Sequence, residues 1–303
     1  PPIDPIRERS VMSLFMPVGG TKNVLDLDKN HAHFIHLDSP VLPEKDFRQL
    51  IHILHPRFRS ARVALVFPAD GEKGRLQAAL HHICAEVEHA VRSGHNLVML
   101  SDRHIEESQA PVPSLLAVGA VHHHLIRQGI RNRVSLIIDT GEAWETHHFA
   151  TLIGFGANAV CPWLAYHLLE KEAEEKSKGN EHGASATSLK NKYRKAIEKG
   201  LLKTMSKIGI STIQSYCGAQ TFEAVGIAKD VINLCFTGTI SRLNGLSFDD
   251  LAEEALNKHA AALIAASGED QHSDAMLPNA GIWQWQKDGE YHLFNPQTIH
   301  LLQ

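Results

Sequence analysis

Four short apolar runs punctuate a chain whose longer stretches repeat apolar residues every three or four positions. RVALVF (62–67), NLVMLSD (96–102), VSLIIDT (134–140) and ANAVCPW (157–163) have the continuous, β-branched character of strands buried on both faces. Between them the spacing predicts helices over Arg75–Arg92, stopped by Gly94, over Ser114–Gln128 and over Ala143–Ile153. Strand, loop, helix, strand at this rhythm predicts right-handed β-α-β units. The sheet is then parallel, either doubly wound or wrapped as a barrel.

The flanks are less regular. VMSLFMPVGG (11–20) reads as an extended segment closed by a Gly-Gly turn, and Pro40 and Pro43 precede a helix from Glu44 to about His55. The charged, then small and polar stretch 170–188 reads as a surface excursion. Beyond it the pattern predicts helix Leu189–Ser206, a strand in GISTIQSY (209–216), helices Ala219–Val225 and Lys229–Leu234, and a long amphipathic helix Ser247–Ala266. Asp288-Gly289 between the aromatic-rich runs of 281–296 is a hairpin signal. The division expected is an irregular segment 1–60, a β/α core 61–266 and a C-terminal hairpin and linker 267–303.

Composition changes this picture in one respect. Across 303 residues the net charge is −4, with no basic block, which argues against nucleic acid as a partner. No window approaches the roughly 18 uninterrupted apolar residues that a spanning helix needs, so no membrane partner is expected. The opening PPIDPIRERS lacks a signal pattern and a starting Met, as expected of a piece of a longer chain. Cys84, Cys161, Cys217 and Cys235 are too widely spaced for a metal knuckle and read as buried, reduced thiols of a cytoplasmic protein. The unusual number is 21 histidines, the commonest metal-ligating residue.

Helical phase sorts those histidines. His82, Glu86 and His89 share one face of the 75–92 helix but lie about 120° from its apolar stripe Leu76, Leu80, Ile83, Val87 and Ala90. They read as a solvated face. In the next helix Leu115, Val118, Val121, Leu125 and Ile126 define the apolar side; His122 falls inside it, predicted buried and hydrogen-bonded, while His123 and His124 point away. His147 and His148 fit either role, and no H-E-x-x-H or H-x-E…C-x-x-C pattern occurs.

Chemistry in β/α folds sits where strands end. The sequence offers Ser101-Asp102-Arg103, Asp139-Thr140-Gly141-Glu142 and Gln214-Ser215-Tyr216 there. The plainer alternative makes Asp102–Arg103 a loop ion pair and Thr140 or Glu142 a helix cap. Gly154-Phe155-Gly156-Ala157 is too short for a dinucleotide fingerprint. GTISRLNG (238–245) suggests a phosphate loop but lacks the Lys-Ser/Thr ending. No G-x-S-x-G is present. By these residues alone no active site is convincing.

Taken together, PPIDPIRERSVMSL, SDRHIEESQAPVPSLLAVGAVHHHLI, HHFATLIGFGANAVCPWLAY, KGLLKTMSKIGISTIQSYCGAQTFEAVG, FTGTISRLNG and DGEYHLFNPQTIHLLQ resemble the central domain of the glutamate synthase large subunit over the whole chain. The resemblance implies an α/β fold of parallel β/α units forming a rudimentary or incomplete (β/α) barrel, related to a flavin barrel but without its own flavin, followed by the C-terminal hairpin. It implies an enzyme that converts glutamine and 2-oxoglutarate into two glutamates with electrons from NAD(P)H or ferredoxin. The glutaminase domain with its N-terminal cysteine and the domain holding FMN and a 3Fe-4S cluster are partners in the same polypeptide, and a small electron-donating subunit is a further one. Pro1 is not that cysteine, clustered cysteines are missing, and IHLLQ (299–303) ends about where the flavin domain begins. The fragment is therefore expected to hold no cofactor, no metal and no catalytic residue, and to be inert alone. Its expected role is to connect the two domains and wall an ammonia channel. The loops Val66–Pro68, Ser101–Arg103 and Ser211–Tyr216 are expected to face that channel or the flavin domain, with Val66, Phe67, Ser101, Asp102, Arg103, Ser211, Gln214, Ser215 and Tyr216 as candidates. The rival readings are a stand-alone metal-dependent β/α-barrel enzyme, needing histidines that converge in a pocket, and a flavin-binding barrel, needing a phosphate-gripping loop near its last strands.

Overall fold

A computed structural model describes residues 8, 10–21, 25, 33–178, 185–267, 285–287, 289 and 291–303. The chain divides into two compact units, 1–259 and 260–303.

The first unit is built on four parallel strands: β3 (Ser60–Ala64), β5 (Leu97–Ser101), β7 (Ser135–Asp139) and β8 (Ala159–Cys161), hydrogen-bonded in that order. Before them, β1 (Met16–Val18) and β2 (Ile35–Leu37) form an antiparallel pair and α1 spans Glu44–Ile51. Strand order following chain order is the arrangement of a barrel arc, whereas a doubly wound sheet reverses at a switch point. The arc stays open: among the described residues no strand closes it. Every residue of β5 and β7 is buried, as their apolar runs require.

The run 62–67 is two strands rather than one. Chain direction changes at Leu65, whose N–H donates to Ser101 O at 2.8 Å and whose carbonyl accepts from Val112 N at 3.0 Å. Beyond it β4 (Val66–Pro68) leaves the parallel sheet and pairs antiparallel with β6 (Gln109–Pro111). Helix α2 follows at Arg75–Arg92, with the whole stripe Leu76, Leu80, Ile83, Val87 and Ala90 buried. His82, Glu86 and His89 are exposed, as their phase predicts.

Helix α3 (Ser114–Arg127) packs against α2 and is the most enclosed helix of the unit. After it come α4 (Thr146–Gly154), α5 (Trp163–Lys178), α6 (Ala186–Ile208) and the single turn α7 (Ile213–Tyr216). Most of the predicted surface excursion is thus helix: α5 runs to Lys178, residues 179–184 lie outside the described residues, and α6 begins at Ala186. Ser185 caps α6 by accepting from Ser188 N at 3.3 Å. Gly209, at φ 86°, ends it with N–H donated to Met205 O at 2.9 Å, the left-handed closure that glycine adopts at least cost.

The strand predicted in 209–216 does not form. Its β-branched residues make one bridge, Ser13 to Thr212, and then turn into α7, where Tyr216 N donates to Thr212 O at 3.2 Å. The helix predicted over Ala219–Val225 is also replaced: β9 (Ala224–Ile227) pairs in parallel with β10 (Ser241–Leu246). Gly226 at φ 70° and the Ala-Val-Gly-Ile composition suit a bulged strand, not a helix. From Ser241 onward GTISRLNG is therefore strand and not a phosphate loop. Helices α8 (Lys229–Cys235) and α9 (Phe248–Ser267) lie near their predicted places. In the second unit the hairpin signal falls largely outside the described residues. Its described part holds a turn, with Gly289 N donating to Gln286 O at 3.2 Å, and helix α10 (Pro296–Leu302) capped by Asn295 follows.

Candidate functional site

The carboxyl end of the sheet gathers the polar residues that end β5 and β7. Asp139, the last residue of β7, is 1% exposed. Its Oδ2 accepts from Ser101 Oγ at 2.9 Å and from Arg103 Nε at 2.6 Å, and its Oδ1 accepts from Arg103 Nη2 at 3.0 Å. This two-point grip uses the planar fork of the guanidinium. Arg103 also lies 5.0 Å from the centre of the Trp163 ring and 3.4 Å from Glu44, which in turn pairs with Lys190 at 3.1 Å.

Asp102 points the other way and is equally enclosed. Its Oδ1 accepts from Trp163 Nε1 at 2.6 Å, and its Oδ2 accepts from Thr140 Oγ1 at 2.6 Å and Gly141 N at 2.9 Å. Burial pushes the Asp102 carboxyl above its ordinary value, against the opposing pull of these donors. Glu142 completes the layer as a cap, accepting from Ser114 N at 2.7 Å at the start of α3. Both carboxylates at the strand ends are thus engaged with donors of their own chain. That arrangement fixes loops; a general acid or base needs an accessible proton.

A second polar cluster lies at the amino end of β7 and β8. Arg131 donates to His122 Nδ1 at 3.0 Å, Val134 O at 2.7 Å, Gly156 O at 2.7 Å and Asn158 Oδ1 at 3.3 Å. His122 is buried and bonded, as predicted. Burial, then the Arg131 charge, lowers its pKa to about 3. His123 does not point to solvent: it is 6% exposed, bonded to Gln220 Nε2 at 2.9 Å, with its pKa lowered to about 4 by burial. The segment 220–237 covers a face of α3 that single-helix phase leaves open, and Ile126 is exposed instead. His124 is less exposed than its phase predicts: it is half-buried and pairs at 2.6 Å with the equally half-buried Glu88 of α2.

The candidate residues separate between these two ends. Val66 and Phe67 follow the strand that pairs Ala64 with Ser101, so they share the carboxyl end with Ser101, Asp102 and Arg103. Ser211, Gln214, Ser215 and Tyr216 lie with Ser13 and, through the Cys217 thiol donating to Ala157 O at 3.3 Å, with the amino end of β8. Val66 is half-buried; Ser211, Gln214 and Ser215 are exposed; Phe67, Ser101, Asp102 and Tyr216 are interior. The Tyr216 hydroxyl donates to Ala150 O at 3.0 Å. Glu44, Trp163 and Lys190 escaped the sequence reading, since their partners are remote in the chain; Arg131 escaped it although His122 and Val134 lie only nine and three residues away.

Among the described residues no group of three or more His, Cys, Asp or Glu is placed to hold a metal ion. All four cysteines are free thiols; Cys84, Cys161 and Cys235 are buried and Cys217 is half-buried. No helix among the described residues is long and apolar enough to cross a membrane.

The family model for the glutamate synthase central domain matches residues 1–228. The chain belongs to the glutamate synthase central-domain family. It is 43% identical over its full length to the NADPH glutamate synthase large chain of Bacillus subtilis, of which it covers 19%. It is 41% identical to the ferredoxin-dependent glutamate synthase 1 of Arabidopsis thaliana, again over all of this chain and 19% of that one. This central domain therefore spans about a fifth of the length of the curated relatives it matches. Among solved structures, a flavocytochrome b2 variant with pyruvate bound is similar at 15% identity, covering 71% of this chain and 44% of that chain, with a TM-score of 0.37.

Proposed function

We propose that this chain is the connecting domain of a glutamate synthase large chain and is not catalytic alone. It holds the glutaminase and FMN domains of the same polypeptide at fixed separation and helps wall the path that ammonia takes between them. FMN and the 3Fe-4S cluster belong to other parts of that polypeptide, and reducing equivalents reach it from NAD(P)H or ferredoxin, through a small electron-donating subunit where one is present. The observation that carries the reading is the match of this entire chain to 19% of each of two glutamate synthases. The carboxyl-end layer supports it, because Asp102 and Asp139 hold loops in place with donors from their own chain. A connecting wall requires such rigidity, since ammonia released to water is protonated and lost.

The test uses the full-length parent enzyme. Tryptophan is introduced separately at half-buried Val66 and exposed Ser211 and Ser215, and glutamine hydrolysed is compared with 2-oxoglutarate consumed. The expected result is hydrolysis in excess of glutamate formation for at least one loop. Strict one-to-one coupling in all three variants overturns the channel role. Glutaminase or reductive activity of the 303-residue chain by itself overturns the assignment as a connecting domain.

A further inference from the structure

A basic cavity lies at the amino end of the sheet, opposite the Asp102 layer. The turns preceding β3, β5 and β7 and the turns following α2 and α3 converge on a space of about 790 Å³. Its wall carries the guanidinium-bearing residues Arg57, Arg92 and Arg133 together with His33 and the backbone of Gly94 and Gly129. Among the described residues no Asp or Glu lines it.

The three arginines are not equivalent. Arg92 sits in the last turn of α2, where a cation complements the helix dipole, and is held by Glu88 at 2.7 Å and Gln128 at 3.3 Å. Arg57 and Arg133 are exposed, and neither side chain bonds to another described residue. Two guanidinium groups on one concave wall repel each other and concentrate positive potential there. One kind of occupant answers this charge: an anion with several oxygen acceptors, which offsets the positive potential with charge-assisted hydrogen bonds.

We propose that this cavity binds a multivalent oxyanion, a small molecule carrying two or more phosphate or carboxylate groups, gripped between Arg57 and Arg133. It is a ligand site separate from the connecting role and from the Asp102 layer.

Titration calorimetry of the 303-residue chain with inorganic pyrophosphate, and in parallel with citrate, tests it. Saturable one-to-one binding is expected. Arg57→Ala and Arg133→Ala should each weaken it about tenfold or more, the loss expected for a charged hydrogen-bonding group. Arg242→Ala, on exposed β10, should leave it unchanged. Tighter pyrophosphate binding identifies a phosphate ligand, and tighter citrate binding a carboxylate. In the unsubstituted chain the backbone amides of Gly94 and Gly129 should shift on saturation, a readout that does not depend on any variant folding. Absence of saturable binding of both probes at millimolar concentration, equal weakening by Arg242→Ala, or silent Gly94 and Gly129 amides each overturns the proposal.

Discussion

Asp102 serves three donors with two oxygens, and they come from two separate parts of the chain: Thr140 with Gly141, and Trp163. Truncation to alanine would strand them in a layer where the residue itself is 2% exposed. Asp102→Ala is therefore expected to lower stability by about 3 kcal/mol, the order for orphaning buried donors, read by urea denaturation. A change within about 0.5 kcal/mol, typical of an unremarkable surface site, would show that these bonds do not hold the loops. Half of this layer was legible in the sequence. Ser101–Arg103 and Asp139–Glu142 declare themselves because apolar strands end there. Trp163 and Glu44 do not, because nothing local marks a side chain whose partner lies 61 or 59 residues away. His123 failed for a related reason. Phase on one helix tells which side is apolar, and not how many sides the rest of the chain covers.

At the scale of elements, long amphipathic patterns carried their own ends. Helix α2 occupies Arg75–Arg92 as its stripe and Gly94 foretell, because burial of one face decides it. The segment 209–227 was misread in both directions because its short β-branched and glycine-rich pieces satisfy strand and turn chemistry equally. Ser13, Ile240 and Leu246, all outside the segment, settle which form it takes. The same dependence on remote partners makes α3 sensitive at Gly119. A Cβ added there would stand 2.1 Å from Cys235 O and 3.1 Å from Phe236 Cε1, at the end of α8. In an exposed helix, Gly→Ala stabilises by about 0.5–1 kcal/mol. Here the backbone of α8 must move, and overpacking of this kind costs about 1–3 kcal/mol. Gly119→Ala is thus expected to destabilise, with the sign itself diagnostic in equilibrium unfolding. A variant as stable as the parent would mean that α3 and α8 do not approach as described.

For the whole molecule, the order of the four strands replaced a choice between two sheet windings with an open barrel arc, which no single element encodes. The amino end of that arc also sets how the chain responds to acid. His122 and His123, with Arg131 and Arg127 near them, lie where α3, β7, β8 and the 220–237 segment meet. Both imidazoles have folded-state pKa values below the ordinary 6.5, at about 3 and about 4. The neutral forms are favoured in the fold, so their contribution is fully present above pH 6.5 and is lost as pH falls toward 4. In that window the unfolded chain binds more protons, and each histidine steepens the loss by up to about 1.4 kcal/mol per pH unit. Asp102, pushed upward by burial, acts in the opposite sense at the acid end, because the folded state takes up its proton first. Stability measured by urea denaturation should therefore decline steadily from pH 7 to pH 5. The double variant His122→Asn/His123→Asn should show a shallower slope whatever its absolute stability, since only the titrating groups are removed. A parent curve flat across this range, or an unchanged slope in the double variant, would place the acid sensitivity elsewhere and refute the burial of two neutral imidazoles.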